Sequence, residues 1–145
     1  MRICVFPCPP CLKQCFCRVF DKHIDTLFRI THTATFNVSL QALTLIQHVS
    51  RASGRSSITD RFYRALYASL VDPRLATSSK QAMYLNLLFK AIKSDKNHER
   101  VAAFVKRVVQ VLGVHRPEFI CGGLFLLGEV CTSLSWVMGV LKCGY

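Results

Sequence analysis

The 145-residue sequence predicts an all-α protein built from consecutive short helices that pack against their neighbours. Two observations carry this prediction. Apolar residues recur at the helical period in one segment after another. Each segment is bounded by the Pro, Asp, Ser, Asn or Gly residues that start or stop helices. Because 51% of the residues are hydrophobic, the chain can bury a core, which excludes general disorder.

Apolar stripes predict the first two helices. The first helix covers 23–31, with a stripe of Ile24, Leu27, Phe28 and Thr31. The second covers 38–50 with Asn37 as its N-cap. Its buried stripe consists of Leu40, Leu43, Ile46 and Val49. The polar residues 51–57 contain Gly54 and are predicted to form a flexible connection.

The third and fourth helices are predicted from caps and a proline. Thr59 is the expected N-cap of the third helix, which ends at Asp72-Pro73 because the residue before a proline disfavours helical dihedrals. Ser78 or Ser79 is expected to cap the fourth helix over 81–93. Its stripe consists of Ala82, Leu85, Phe89 and Ile92. Further apolar residues flank this stripe, so the helix is predicted to be buried between two neighbours.

The fifth and sixth helices have clear start signals. Asn97 is expected to cap the fifth helix, and Gly113 suits its C-terminal end. Its inner face consists of Val101, Phe104, Val105, Val108 and Leu112. Pro117 then stands at the first position of the sixth helix. These signals outweigh the strand preference of the valines in the fifth helix.

Residues 119–141 form an apolar stretch whose only charged residue is Glu129. The stretch is long enough to cross a bilayer, so a small membrane-anchored protein is one alternative. An ionised carboxylate near its middle and the Gly122-Gly123 pair disfavour this alternative. A buried terminal helix is therefore the preferred interpretation.

Residues 1–22 are rich in Cys and Pro and are predicted to be unstructured. Four of the cysteines, Cys8, Cys11, Cys15 and Cys17, could in principle hold zinc through their thiolates. Structural zinc sites usually pair two such knuckles across a loop, and no second knuckle follows here. No metal and no cofactor is therefore predicted. No secretory signal is recognisable, because prolines and Lys13 interrupt the apolar residues.

No residue pattern predicts catalysis. The histidines are scattered over separate helices, and no phosphate-binding loop or nucleophile motif occurs. Cys121 and Cys131 stand among apolar residues in the sequence, where a cysteine usually behaves as a small hydrophobe. We therefore predict a non-enzymatic protein without catalytic residues.

Basic residues give a better indication of function. Lys and Arg number 19 against 8 Asp and Glu, a net charge of +11 that favours an anionic partner. Ten basic residues are predicted to form a surface for such a partner, either RNA or an acidic protein: Arg51, Arg55, Arg61, Arg64, Lys90, Lys93, Lys96, Arg100, Lys106 and Arg107. The alternative for any one of them is a solvated outer face.

The helical segments resemble the CCAAT-binding factor (CBF)/Mak family over residues 25–130. Five long, collinear segments carry the resemblance: Asn37–Ser50, Thr59–Leu75, Ser78–Asp95, Arg100–Val111 and Pro117–Val130. The resemblance implies a CBF helical domain segment at 23–130, between the leader 1–22 and a divergent apolar tail 131–145. Members of the family are longer, so the chain is expected to be a fragment of a larger protein.

The resemblance also implies a fold and a function. The fold is a fragment of a HEAT/armadillo-like α-solenoid of stacked antiparallel helices. The function is a scaffold for large-subunit preribosome maturation and transport in the nucleus and nucleolus. The implied partners are a Noc-type nucleolar protein, preribosomal particles and pre-rRNA. DNA binding at CCAAT promoters is an alternative that the family's name suggests.

Overall fold

A computed structural model describes residues 23–133, which form α-helices joined by short connections and contain no β-strand. The prediction of an all-α protein is confirmed. The helices are α1 (23–33), α2 (Phe36–Ser53), α3 (Ser56–Ser69), α4 (Gln81–Ser94), α5 (His98–Leu112) and α6 (Pro117–Ser133), with a 3₁₀ helix at Pro73–Leu75. The leader 1–22, its candidate zinc cysteines and residues 134–145 lie outside the described residues.

The chain divides into two compact units, with the boundary between Ala65 and Leu66 inside α3. The core of the first unit uses the predicted stripes. Ile24, Phe28 and Thr31 of α1 are buried, and Leu27 is half-buried. The predicted stripe of α2 is almost completely buried: Leu40, Leu43, Ile46 and Val49. These two helical faces are therefore confirmed.

The predicted ends of α2 are wrong at both termini. Thr35, not Asn37, precedes the helix, and the buried side chain of Phe36 stands in its first turn. At the other end α2 continues through Ser53 to Gly54, which has φ 64° and donates its N–H to the carbonyl of Ser50. Because Gly54 adopts this left-handed conformation easily, the chain turns sharply into α3. The predicted flexible connection at 51–57 is thus mostly helical.

The N-cap predicted for α3 is also wrong, because the helix begins at Ser56. Thr59 lies inside the first turn, where its hydroxyl donates to the carbonyl of Arg55 at 2.9 Å. Its Oγ1 lies 2.7 Å from Ser50 Oγ. Since the Thr59 proton is already donated, Ser50 is the donor in this second bond. The hydroxyl that suggested a cap therefore joins α2 to α3 within the first unit.

The second unit begins with the end of α3. Leu66 and Leu70 are buried, but the helix ends at Ser69, before the expected stop. Asp72 instead caps the short 3₁₀ helix by accepting the N–H of Arg74 at 2.9 Å. The proline therefore starts a new turn as well as preventing the old helix from continuing.

The predicted buried face of α4 is wrong. Its buried residues are Tyr84, Leu87, Leu88, Ala91 and Ile92. Only the last of these belongs to the predicted stripe, whereas Leu85 and Phe89 are half-buried and Ala82 is exposed. Tyr84 can be buried because its hydroxyl lies 2.9 Å from Ser69 Oγ. The two expected neighbours are present, because this hydrogen bond joins α4 to α3 and α6 packs against α4, but burial is confined to one face of the helix.

Helix α4 begins at Gln81 as predicted, but its N-cap residue is not the expected one. Lys80 precedes the helix, and neither Ser78 nor Ser79 is its N-cap. Ser78 Oγ instead accepts the N–H of Lys80 at 3.1 Å, which forms a turn just before the helix.

Helix α5 is confirmed in its N-cap and buried face. Asn97 Oδ1 accepts the N–H of Arg100 at 3.2 Å. All five predicted inner residues are buried: Val101, Phe104, Val105, Val108 and Leu112. Gly113 follows the helix as expected, but with φ −64° it does not use its left-handed freedom.

Helix α6 begins at Pro117 as predicted and contacts both α4 and α5. The Gly122-Gly123 pair allows these contacts. A Cβ on Gly122 would lie 2.7 Å from Leu85 Cδ1, and one on Gly123 would overlap Leu112. The two glycines therefore let α6 approach both neighbouring helices closely.

Within residues 23–133, none of the helices combines the length and the apolar character that a bilayer crossing requires. Residues 134–141 of the stretch considered for such a span lie outside the described residues.

Candidate functional site

Four of the ten basic residues predicted to contact an anionic partner lie in the first unit, and all four are exposed: Arg51, Arg55, Arg61 and Arg64. Arg61 has an internal role. Its Nη1 lies 2.7 Å from Asp25 Oδ1, and its guanidinium lies 4.3 Å from the centre of the Phe28 ring. Arg61 therefore ties α3 to α1, which sequence reasoning missed because Asp25 is far away along the chain.

The other six lie in the second unit, where Arg100 also has a structural role. Its Nε donates to Asp95 Oδ2 at 2.6 Å, and its Nη2 donates to Oδ1 at 2.9 Å. The Asp95 side chain is only 3% exposed. This two-bond ion pair holds the connection between α4 and α5, because the planar guanidinium matches the carboxylate.

Arg107 is held by an aromatic residue. Its Nε donates to the Tyr67 hydroxyl at 3.2 Å, and its guanidinium lies 5.3 Å from the centre of the same ring. Tyr67 packs edge-on against Phe104, with their ring centres 5.3 Å apart. Arg107 is thus half-buried and fixed in position.

The lysines remain exposed: Lys90, Lys93, Lys96 and Lys106. The Nζ of Lys93 lies 5.4 Å from the centre of the Phe89 ring, so its charge stands beside an aromatic face. Of the ten predicted residues, three therefore have clear structural partners and the lysines project into solvent. The prediction that these residues bind an anionic partner stays a prediction.

A groove between α4 and α6 was missed by sequence reasoning. Its volume is about 480 Å³. Its lining consists of Ala82, Leu85, Asn86 and Phe89 from α4, and Gly122, Phe125, Leu126 and Glu129 from α6. Phe125 is 73% exposed. The signal available in the sequence was that α6 has apolar residues on all sides, which predicts contacts on all sides.

Two pKa shifts mark local structure in the second unit. The hydrogen bonds from the Arg74 side chain hold the pKa of Asp72 below its usual value, although partial burial opposes this effect. Burial raises the pKa of the Tyr84 phenol far above its usual value. Asp72 lies at the turn that follows α3, and Tyr84 lies in the core beside that turn. Neither residue lines the groove.

Among the side chains of residues 23–133, no cluster of three or more His, Cys, Asp or Glu residues could hold a metal ion. Cys121 is exposed and Cys131 is half-buried. Cys121 therefore lies on the solvent-facing side of α6.

The family profile described as CBF/Mak21 family matches residues 39–141. The chain belongs to the CBF/Mak21 family. This confirms the resemblance seen in the helical segments. The profile covers most of the residues that build α2 to α6, so the fold described above is the fold of a CBF/Mak21 segment.

Curated relatives of this CBF/Mak21 chain have informative names. "Ribosome biogenesis protein NOC1" of Chaetomium thermophilum is 58% identical over 110 residues, which cover 76% of this chain and 10% of the relative. "CCAAT/enhancer-binding protein zeta" of Homo sapiens is 49% identical over 112 residues, covering 77% of this chain and 10% of the relative.

A more distant relative is "Nucleolar complex protein 1" of Drosophila melanogaster. It is 35% identical over 117 residues, which cover 79% of the CBF/Mak21 chain and 10% of the relative. The chain thus spans about a tenth of the length of these curated relatives.

Proposed function

We propose that this CBF/Mak21 chain is a non-enzymatic helical scaffold in large ribosomal subunit biogenesis. The observation that carries the proposal is the 58% identity over 110 residues to a protein named for ribosome biogenesis. The nucleus, and within it the nucleolus, is the proposed location, which the name of the Drosophila relative supports. The proposed partners are a second Noc-type protein and preribosomal particles.

The helical architecture supports a scaffold role. Within the second unit, α6 contacts both α4 and α5, and only a short connection joins α4 to α5. Contacts of one helix with the two helices before it fit a stack of helical repeats in which each repeat contacts its neighbours, so a HEAT/armadillo-like stack is part of the proposal. Such stacks bind partners through long exposed faces and require no catalytic group.

Sedimentation tests the scaffold proposal. The tagged full chain is expressed in cells, and a nuclear extract is separated on a sucrose gradient. The chain is expected to travel with large-subunit precursors and to shift to the top after ribonuclease treatment. A chain that stays at the top in untreated extract would contradict the proposal.

Pre-rRNA is a proposed ligand of the exposed lysines. A lysine that contacts phosphate releases counterions, so the dependence of affinity on salt reports each contact. Lys106→Gln should reduce the slope of log affinity against log salt by about 0.7 to 0.9. Arg107→Gln is the matched control on the adjacent residue, because Tyr67 already holds that guanidinium. Equal changes in both variants would contradict a specific role for Lys106.

A CCAAT-promoter regulator is the second candidate, because the human relative carries that name. The same binding assay separates the two candidates when it includes a CCAAT duplex, a scrambled duplex and pre-rRNA at two salt concentrations. Nonspecific phosphate binding weakens steeply with salt. A CCAAT preference that persists at the higher salt would favour the regulator over the scaffold.

A further inference from the structure

The solvent-facing side of α6 has the pattern of a helix that packs against another helix. Cys121, Leu124, Phe125 and Gly128 stand at i, i+3, i+4 and i+7, and all four are exposed. Leu124 is 58% exposed and Phe125 is 73% exposed. Such spacing places the four residues on one stripe, which in a folded protein normally faces a neighbour.

This stripe is continuous with the groove between α4 and α6, because Phe125 belongs to both. Leu85 and Phe89 form the α4 side of the groove and are only half-buried. Gly122 deepens the groove, since it has no Cβ to fill the space beside Leu85. Exposed apolar surface of this kind marks a protein interaction site.

The two edges of the groove carry opposite charges. On α4, Lys93 follows Phe89 by one turn and Lys90 follows Asn86 by one turn, so both lysines stand beside groove-lining residues. On α6, the carboxylate side chain of Glu129 lines the groove. A phosphate backbone would meet an apolar floor and this carboxylate, so the groove does not suit RNA.

We propose that this groove binds an amphipathic α-helix of a protein partner. The apolar stripe of the partner helix lies along Phe125 and Phe89, and acidic residues on one of its edges face Lys90 and Lys93. Apolar anchors in a groove with charged edges are a common way for proteins to recognise helices. The proposal rests on the scaffold function above and adds the class of partner.

Two synthetic peptides of about 18 residues, a length of about five helical turns, test the proposal. Both carry the same leucine stripe, and one has glutamates where the other has lysines. Fluorescence anisotropy measures their binding to the full 145-residue chain. The acidic peptide is expected to bind about tenfold or more tightly than the basic peptide, a difference that electrostatic complementarity can supply.

Variants then locate the binding site. The double substitution Lys90→Glu and Lys93→Glu should reverse the preference between the peptides. Phe125→Ser should weaken both peptides about tenfold or more, and its circular dichroism should stay native because the ring is largely exposed. Lys106→Glu is the matched control for Lys93→Glu alone, since it makes the same charge change on α5 outside the groove.

Three results would overturn the proposal. The first is equal affinity for the two peptides. The second is an effect of Lys106→Glu as large as that of Lys93→Glu, which would indicate general attraction to a basic protein. The third is a dimer that Phe125→Ser dissociates, which would make a second copy the occupant. None of these results affects sedimentation with preribosomes, so this proposal and the scaffold function can fail separately.

Discussion

The same substitution at two adjacent glycines of α6 should have opposite effects on stability. A Cβ on Gly123 would overlap Leu112, whose Cγ also lies only 3.2 Å away. Leu112 is 6% exposed and cannot move into solvent. A Cβ on Gly122 would lie 2.7 Å from Leu85 Cδ1. Leu85 is half-buried beside the groove, so this methyl group can rotate away.

The expected free energies follow from two effects. Alanine is more favourable than glycine inside a helix by about 1 kcal/mol, and this gain applies at both positions. Overpacking a closed core costs about 1 to 3 kcal/mol, and this cost applies at Gly123. Gly123→Ala should therefore destabilise the chain by about 0 to 2 kcal/mol, whereas Gly122→Ala should stabilise it by up to about 1 kcal/mol.

Urea unfolding of the full chain, followed by circular dichroism, measures both variants. The difference between them is the informative quantity, because helix propensity and the entropy of the unfolded chain cancel in it. It should be about 1 to 3 kcal/mol with the slope against urea unchanged. If both variants shift equally, or if Gly122→Ala is the more destabilising, the close-approach argument is refuted.

Two further predictions concern α4 and the turn before it. Leu88→Ala should lower the free energy of unfolding by about 2 to 5 kcal/mol in the same assay, because Leu88 is 0% exposed. Leu85→Ala should lower it by about 1 kcal/mol, because Leu85 is only half-buried. Equal losses would mean that the buried face of α4 is assigned wrongly. Arg74 lowers the pKa of Asp72, so the ionised Asp72 carboxylate stabilises the folded state fully above about pH 4. This stabilisation is lost as the pH falls through the lowered pKa of Asp72. Asp72→Asn should reduce the dependence of the unfolding free energy on pH in urea titrations between about pH 4 and pH 2. An unchanged pH dependence would contradict the ion pair assigned to Asp72 and Arg74.

Sequence periodicity located helical faces well where polar and apolar residues alternate clearly. In α5, Lys106 and Gln110 mark the outer face, so the valine stripe could be assigned from the sequence alone. In α4, apolar residues surround the helix, and periodicity could not decide which of them is buried. Which face is buried depends on tertiary contacts, such as the hydrogen bond between Tyr84 and Ser69, which the local sequence does not show.

Helix starts and the contacts of individual arginines were harder to predict for a similar reason. Asn37 and Thr59 are residue types that favour N-caps, but both lie inside helices. Thr59 uses its hydroxyl for a carbonyl one turn earlier, which competes with capping. Arg61 and Arg107 looked like free surface charges because their partners are distant in sequence. The local sequence therefore could not show which arginines are held by contacts within the protein.

The connection between α4 and α5 shows that exposure and susceptibility to proteases are different properties. Lys96 is exposed and would be a cleavage site for trypsin in an extended chain. Its neighbours are held on both sides, since Asp95 accepts the N–H of Asn97 at 3.0 Å and binds the guanidinium of Arg100. A protease must extend several residues across its active site, which would break these bonds together. An inserted tag or loop would break them too, so this exposed connection is a poor insertion point.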